Sequence, residues 1–219
     1  MKMSEHLQHE AAYQGNMNVL KQRSGKKIVV LGAGALGSFL VDLLARQGYE
    51  QMTVVDRDKV ERSNFGTQNY GKSDIGRAKA NQCAQNVMKR IGVKVMPVVK
   101  DINESNVNPL LSGADLIIDL FDNPTSRRVV KNAADRWSIP CVHAGMGAIG
   151  YFEVVWNENY NIPEESGKDG SDAPCDYPLA SNLVMLCVGG IAEVVNRFVD
   201  EGQKISIDFW LSKMKMGEM

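Results

Sequence analysis

The residues able to do chemistry in this chain fall in one stretch, in an order that suits a bound phosphate. The apolar run Ile28 to Leu31 leads into Gly32-Ala-Gly-Ala-Leu-Gly37, and a second apolar run closes on the carboxylate Asp56. Gly32 and Gly34 permit a tight turn and let a phosphate approach bare backbone, while Gly37 lets the next helix pack close to the sheet. Ala35 and Leu36 stand where that helix begins, at about Ala35 to Gln47, so free N–H groups and the positive dipole end point at the phosphate. Asp56 lies at the depth of a ribose hydroxyl. The glycine run, a following helix and an acid roughly 20 residues on describe a nucleotide pocket better than a glycine turn that merely packs.

The segment after Asp56 separates two kinds of nucleotide. A nicotinamide enzyme places a helix there, whereas this chain opens a polar loop carrying Asp58, Asn64, Gln68, Arg77 and Lys79. Such a loop suits a triphosphate. The spacing predicts a helix from Gly76 to Ile91 with Ala80, Cys83, Ala84, Val87, Met88 and Ile91 on its apolar face and Lys79 off it. Arg77 and Lys79 would occupy its first turn, where each cation opposes the helix dipole by ~0.3–1 kcal/mol and a polyphosphate would reverse the sign. Solvated surface cations remain the alternative for both. Asp115 to Leu120 reads as a buried strand leading to Asp122 and Asn123. A carboxylate at that end of a doubly wound sheet faces the ligand crevice and suits magnesium, although either residue could instead cap a helix near Thr125.

Positioning these groups requires alternating strands and helices. Strands are expected at 27–31, 52–56, 93–99, 115–120 and 139–143, and helices at about 35–47, 76–91 and 125–137, with a short one near 104–112. The fold class is therefore α/β, a Rossmann-like, doubly wound and mostly parallel sheet. Additional C-terminal strands are expected at Tyr151 to Trp156 and Ile205 to Leu211. Between them come a long polar crossover loop, 157–178, and an apolar helix from Leu179 to Asp200 whose Gly189-Gly190 pair permits close packing. Residues 1–24 form a polar N-terminal arm and 25–219 the nucleotide-binding domain.

With 44% hydrophobic residues, 23% charged residues and a formal net charge of -1, the 219-residue chain has the composition of a soluble protein and no excess of cations for nucleic acid. No secretory leader or membrane span is expected, which points to the cytoplasm. Cys83 and Cys187 on apolar helix faces and Cys141 in a strand read as core, while Cys175 lies in the polar loop, where exposure fits a reactive thiol.

Together GAGALGS, VVDRDKVERSNF, Gln68, DIGRAK and LFDN resemble the ThiF/MoeB/HesA family, the bacterial relatives of ubiquitin-activating enzymes, over roughly residues 26–156. The resemblance implies ATP-dependent adenylation of a carboxylate with release of pyrophosphate. The usual substrate is the C-terminal glycine of a small ubiquitin-like or sulfur-carrier protein with a Gly-Gly tail, and the family implies a homodimer. By position, Gly32, Gly34, Gly37, Asn64 and Lys79 would hold phosphates, Asp56 the ribose and Asp122 magnesium, with Arg127 near the site. A carboxylate is already a nucleophile at neutral pH, so the reaction asks for cations and dipoles rather than a general base.

The chain departs from the family at several points. Thr67 stands before Gln68 where relatives usually carry arginine, and residues 1–24 offer only Arg23 in place of an Arg-Tyr-x-Arg-Gln-like segment. Arg57, Arg62 and Arg77 are the candidate substitutes. Paired C-x-x-C ligands are absent, so no zinc is expected. Cys175 lies where some relatives place a nucleophile for a thioester or persulfide. Two alternatives to an active enzyme stay open: a weak or inactive member that binds nucleotide or a partner, and an NAD-dependent oxidoreductase resting on the glycine motif and Asp56 alone.

Overall fold

The computed structural model describes residues 5–147, 150–162 and 181–213. Seven strands form one sheet: β1 (Lys27–Leu31), β2 (Gln51–Val55), β3 (Met96–Val98), β4 (Leu116–Asp119), β5 (Cys141–Gly147), β6 (Tyr151–Trp156) and β7 (Ile207–Trp210). Their order is β3-β2-β1-β4-β5-β6-β7. The first five run parallel, and β6 and β7 add antiparallel. This is the expected class, with the direction of winding reversing between β1 and β4.

Burial on both faces explains the apolar strands. Ile28 and Val30 of β1 point into a core shared with α3 (Gly37–Arg46), α4 (Lys79–Ile91) and α7 (Ser181–Glu201). Val29 and Leu31 point into a second core with α5 (Val107–Leu111) and α6 (Pro124–Trp137). Cys83, Cys141 and Cys187 are buried and free, and burial pushes the Cys83 and Cys187 thiols up to about 12. Cys175 lies outside the described residues.

Several boundaries move for identifiable reasons. β3 shrinks to three residues at the sheet edge, where Pro97 has no N–H to donate. β5 extends to Gly147 because its second half pairs with β6. α3 begins at Gly37, leaving Ala35 and Leu36 in the turn before it. The largest correction concerns α4, which begins at Lys79 rather than Gly76. Gly76 takes φ +79°, and 76–79 folds back on the loop after β2: Val60 N donates to Arg77 O, Gly76 N to Val60 O and Lys79 N to Asp58 O. Arg77 therefore lies outside the helix. Lys79, expected off the core face, is buried, falling four residues before Cys83 on the buried stripe of the helix. Met88, expected on that face, is 48% exposed, and Ile91 is only half-buried.

The N-terminal segment folds as α1 (Gln8–Gln14) and α2 (Met17–Gly25), and α2 packs on α7. Arg23, fully buried, donates to Asp200 at 2.6 Å, to Glu10 at 2.6 Å and to the Gln47 carbonyl at 3.1 Å. Among the described residues α7 is the one helix long and apolar enough to cross a membrane, and here its Val184, Cys187, Ile191 and Val195 are buried in the first core. It approaches the sheet closely at Gly190, where an added Cβ would lie 2.7 Å from Ile207 Cδ1.

Candidate nucleotide site

The three motif glycines have three different reasons to be glycine. Gly32 takes φ +99°, and an added Cβ would meet the Leu120 carbonyl oxygen at 3.2 Å, which sets the glycine loop against the end of β4. A Cβ on Gly37 would lie 1.9 Å from the Gly32 oxygen, so helix α3 can start there only without one. A Cβ added to Gly34 would meet nothing within 4 Å, so that side of its backbone is open to a ligand.

Asp56, just past the end of β2, is buried and ties two loops together. Its Oδ2 accepts from Ala33 N at 2.7 Å and its Oδ1 from Asp58 N at 2.7 Å. Burial pushes its carboxyl above the ordinary range, opposed by those two N–H groups and by Lys79. Each oxygen keeps lone-pair capacity for a further donor.

Lys79 stands beside this loop. Its Nζ lies 3.4 Å from Asp58 Oδ2. The Tyr70 hydroxyl donates to the Ala33 carbonyl at 2.7 Å and lies 3.3 Å from the Lys79 carbonyl, hooking the start of α4 to the glycine loop. Asn64 Oδ1 accepts from Glu61 N at 2.8 Å and so caps its own short 3-10 turn. Gln68 presents a buried Oε1 without a partner among the described residues. Of the candidate substitute arginines, Arg57 pairs with Asp101 at 3.2 Å, while exposed Arg62 and Arg77 make no side-chain hydrogen bond or ion pair among the described residues.

The corner after β4 resolves the question of the cap. Asn123 Oδ1 accepts from Ser126 N at 2.8 Å and caps α6, with Pro124 at its first position. Asp122 is exposed and unpaired among the described residues, its carboxylate left for solvent or a cation. Arg127 is buried and engaged by the Phe121 carbonyl, the Ala144 carbonyl and the Tyr160 hydroxyl, so it braces the corner rather than reaching from it. A cleft of about 640 Å³ opens beside the corner, lined in part by Arg57, Asp101, Asn103, Asn123, Ser126 and Val129. Sequence reasoning missed Tyr70, Asp119 and His143. A tyrosine in a polar loop and a lone histidine in an apolar strand carry no spacing signal; only the acid closing the run Leu116 to Asp119 hinted at a buried partner.

A doubly wound sheet with a glycine loop at its switch point defines a Rossmann-like α/β protein. The chain belongs to the ThiF family, whose model matches residues 7–195. It is 35% identical over 155 residues to the SAMP-activating enzyme E1 of Haloferax volcanii, covering 69% of this chain and 55% of that protein. It is 33% identical over 141 residues to the sulfur carrier protein ThiS adenylyltransferase of Bacillus subtilis, covering 62% and 42%. The chain thus spans about half the length of these curated relatives. The crystal structure of E. coli MccB with AMPCPP and MccA shares the fold at a TM-score of 0.79 and 18% identity, covering 97% of this chain and 70% of that one.

Proposed function

We propose that the chain binds ATP with magnesium and adenylates a carboxylate, the C-terminal glycine of a small ubiquitin-like or sulfur-carrier protein, releasing pyrophosphate and working as a homodimer. The observation that carries this reading is the Tyr70 hook, which ties the Lys79 backbone to that of Ala33, next to the open Gly34, while the Lys79 ammonium lies 3.4 Å from Asp58. A cation and bare N–H groups together are what a polyphosphate requires. The buried Gln68 Oε1, unpartnered among the described residues, adds support, because a ligand donor would remove the cost of leaving it unsatisfied. Asp122, a hard and exposed carboxylate, fits magnesium, which when bound with ATP would spread the charge of the phosphates.

In this reading the N–H groups from Gly34 to Gly37 face the phosphates, and Asp56 accepts from the ribose hydroxyls with its remaining lone pairs. Asn64 and Lys79 hold phosphate oxygens, and Asp58 orients Lys79. An ionised carboxylate oxygen of the substrate attacks the α-phosphorus. The bond from that phosphorus to the bridging oxygen breaks, and pyrophosphate leaves with the electron pair. No proton need be removed from the nucleophile, so the chain's task is to neutralise the departing charge. Arg62 and Arg77, both exposed and unpaired among the described residues, are the cations available to replace the arginine that Thr67 lacks.

Pyrophosphate exchange with a carrier ending in Gly-Gly tests the reading. Lys79→Ala and Asp122→Ala are each expected to lower the rate by about tenfold or more, the loss of one charge-assisted contact. Failure of the wild type to bind millimolar magnesium-ATP sinks it. A second reading, nucleotide or partner binding without turnover, is favoured by Thr67 and by the burial of Arg23 among Glu10 and Asp200, which keeps it from reaching a neighbouring site. ATP binding with no exchange on any carrier would select it. Tight NADH binding without ATP binding would instead favour an oxidoreductase.

A further inference from the structure

We infer that Asp119 and His143 are positioning residues: they hold the corner at residues 121–123, and with it Asp122, through a closed ring of contacts that contains one shared proton. The ring can be followed atom by atom. Asp119 Oδ1 accepts from Phe121 N at 3.1 Å. The Phe121 carbonyl accepts from Arg127 Nε at 2.6 Å. Arg127 Nη1 donates to the Tyr160 hydroxyl at 2.9 Å, and the Tyr160 ring stacks on His143 with centroids 4.0 Å apart and planes 9° apart. His143 Nδ1 returns to Asp119 Oδ2 at 2.8 Å. Both backbone polar groups of Phe121 are gripped, so the peptide planes on either side of it are fixed, including the one that leads into Asp122. On the far side Asn123 is held by its cap.

The partners of the two ring nitrogens place the proton. Asn157 Nδ2 donates to the Asp135 carboxylate, which turns its Oδ1 toward His143 Nε2 at 2.7 Å. That ring nitrogen therefore carries a hydrogen. The other faces a carboxylate oxygen. A bare Nδ1 against an ionised Oδ2 would put two acceptors in contact, in a pair with no solvent exposure at all. One proton must lie between them, on the line from Nδ1 to Oδ2. The buried pair is then net neutral, which makes its burial tolerable. Around it stand Cys141 Sγ at 3.6 Å, the Tyr160 ring, the Arg127 guanidinium, and Lys131 on the Asn157 carbonyl. Among the described residues none of these hydrogen-bonds to Nδ1.

The service of the corner to magnesium rests on the nucleotide reading above; the ring itself does not. The chain has three histidines, so the ring nitrogens of His143 can be assigned in proton–nitrogen correlation spectra of the full chain. Both nitrogens are expected to carry hydrogens in the wild type. Asp119→Asn should leave Nδ1 bare yet preserve the ring, because the new amide can donate to Nδ1 and accept from Phe121 N. In His143→Gln, whose two N–H bonds share one nitrogen and so cannot take the places of Nδ1 and Nε2 together, the Phe121 amide should exchange with deuterium faster than in the wild type. Magnesium-ATP affinity should drop about tenfold in His143→Gln and stay within about threefold in Asp119→Asn, as expected for losing and keeping one positioned contact. A bare Nδ1 in the wild type, or Phe121 exchange unchanged by His143→Gln, overturns the inference. Should that variant not fold, the spectra of the wild type and Asp119→Asn still decide it. Absence of ATP binding with both signatures present defeats the nucleotide reading alone.

Discussion

Glycines 34 and 37 look alike in the motif and should behave differently when changed. Gly37→Ala forces a methyl to within 1.9 Å of a backbone oxygen, and the expected cost is at least ~1–3 kcal/mol, read as a lower urea midpoint. Gly34→Ala meets open space, so its midpoint should move by less than ~0.5 kcal/mol while nucleotide affinity falls, because the methyl occupies the approach to the N–H groups. Asp56 makes a pH prediction of definite sign. Its folded carboxyl sits above the ordinary value, so the stability it contributes is full below the unfolded value and is lost as pH rises through the folded one. Nucleotide binding needs the ionised acceptor and should change the opposite way, strengthening as pH rises through the same window. Titrations of both quantities should flatten there in Asp56→Asn. The motif residues themselves were legible because each answers to a local demand for space, charge or backbone freedom. Tyr70 and His143 were not, since their partners come from other parts of the chain.

At the scale of elements, the corner between β4 and α6 divides labour between neighbours. Asn123→Ala should lower stability by about 1 kcal/mol through loss of the cap, whereas Asp122→Ala should leave the unfolding midpoint alone and act only on magnesium-dependent binding. Equal destabilisation by the two would show that Asp122 is part of the fold's framework. Alternation of apolar runs made the strands and the main helices readable, because periodicity is local. The start of α4 was not readable: its first residues are claimed by hydrogen bonds to residues 58 and 60, and no pattern within 76–91 records that demand. The error in the helix start carried Arg77 with it. β5 exceeded its expected length for a similar reason, its last residues being strand only because β6 lies beside them.

The whole molecule is closed by a contact that neither terminal segment announces. Burial works against the charge of Arg23, yet the hydrogen bonds it donates to Asp200 and Glu10 outweigh it and hold the guanidinium's pKa above its ordinary value. Arg23→Ala strands two partly buried carboxylates and should cost ~3–5 kcal/mol, measured by denaturant unfolding. The class of sheet was legible from the alternation of strands and helices, but this closure was not, for Arg23 and Asp200 are 177 residues apart. That separation has a kinetic meaning. A ribosome delivers α2 long before Asp200 exists, so α1 and α2 must wait, with Arg23 paired to Glu10 alone, for α7. Pulse-labelled exchange during refolding should find the α2 amides protected in the final phase, behind β1 and β4. Helices α1 and α2 would then act as a latch that closes only after the sheet and α7 are in place.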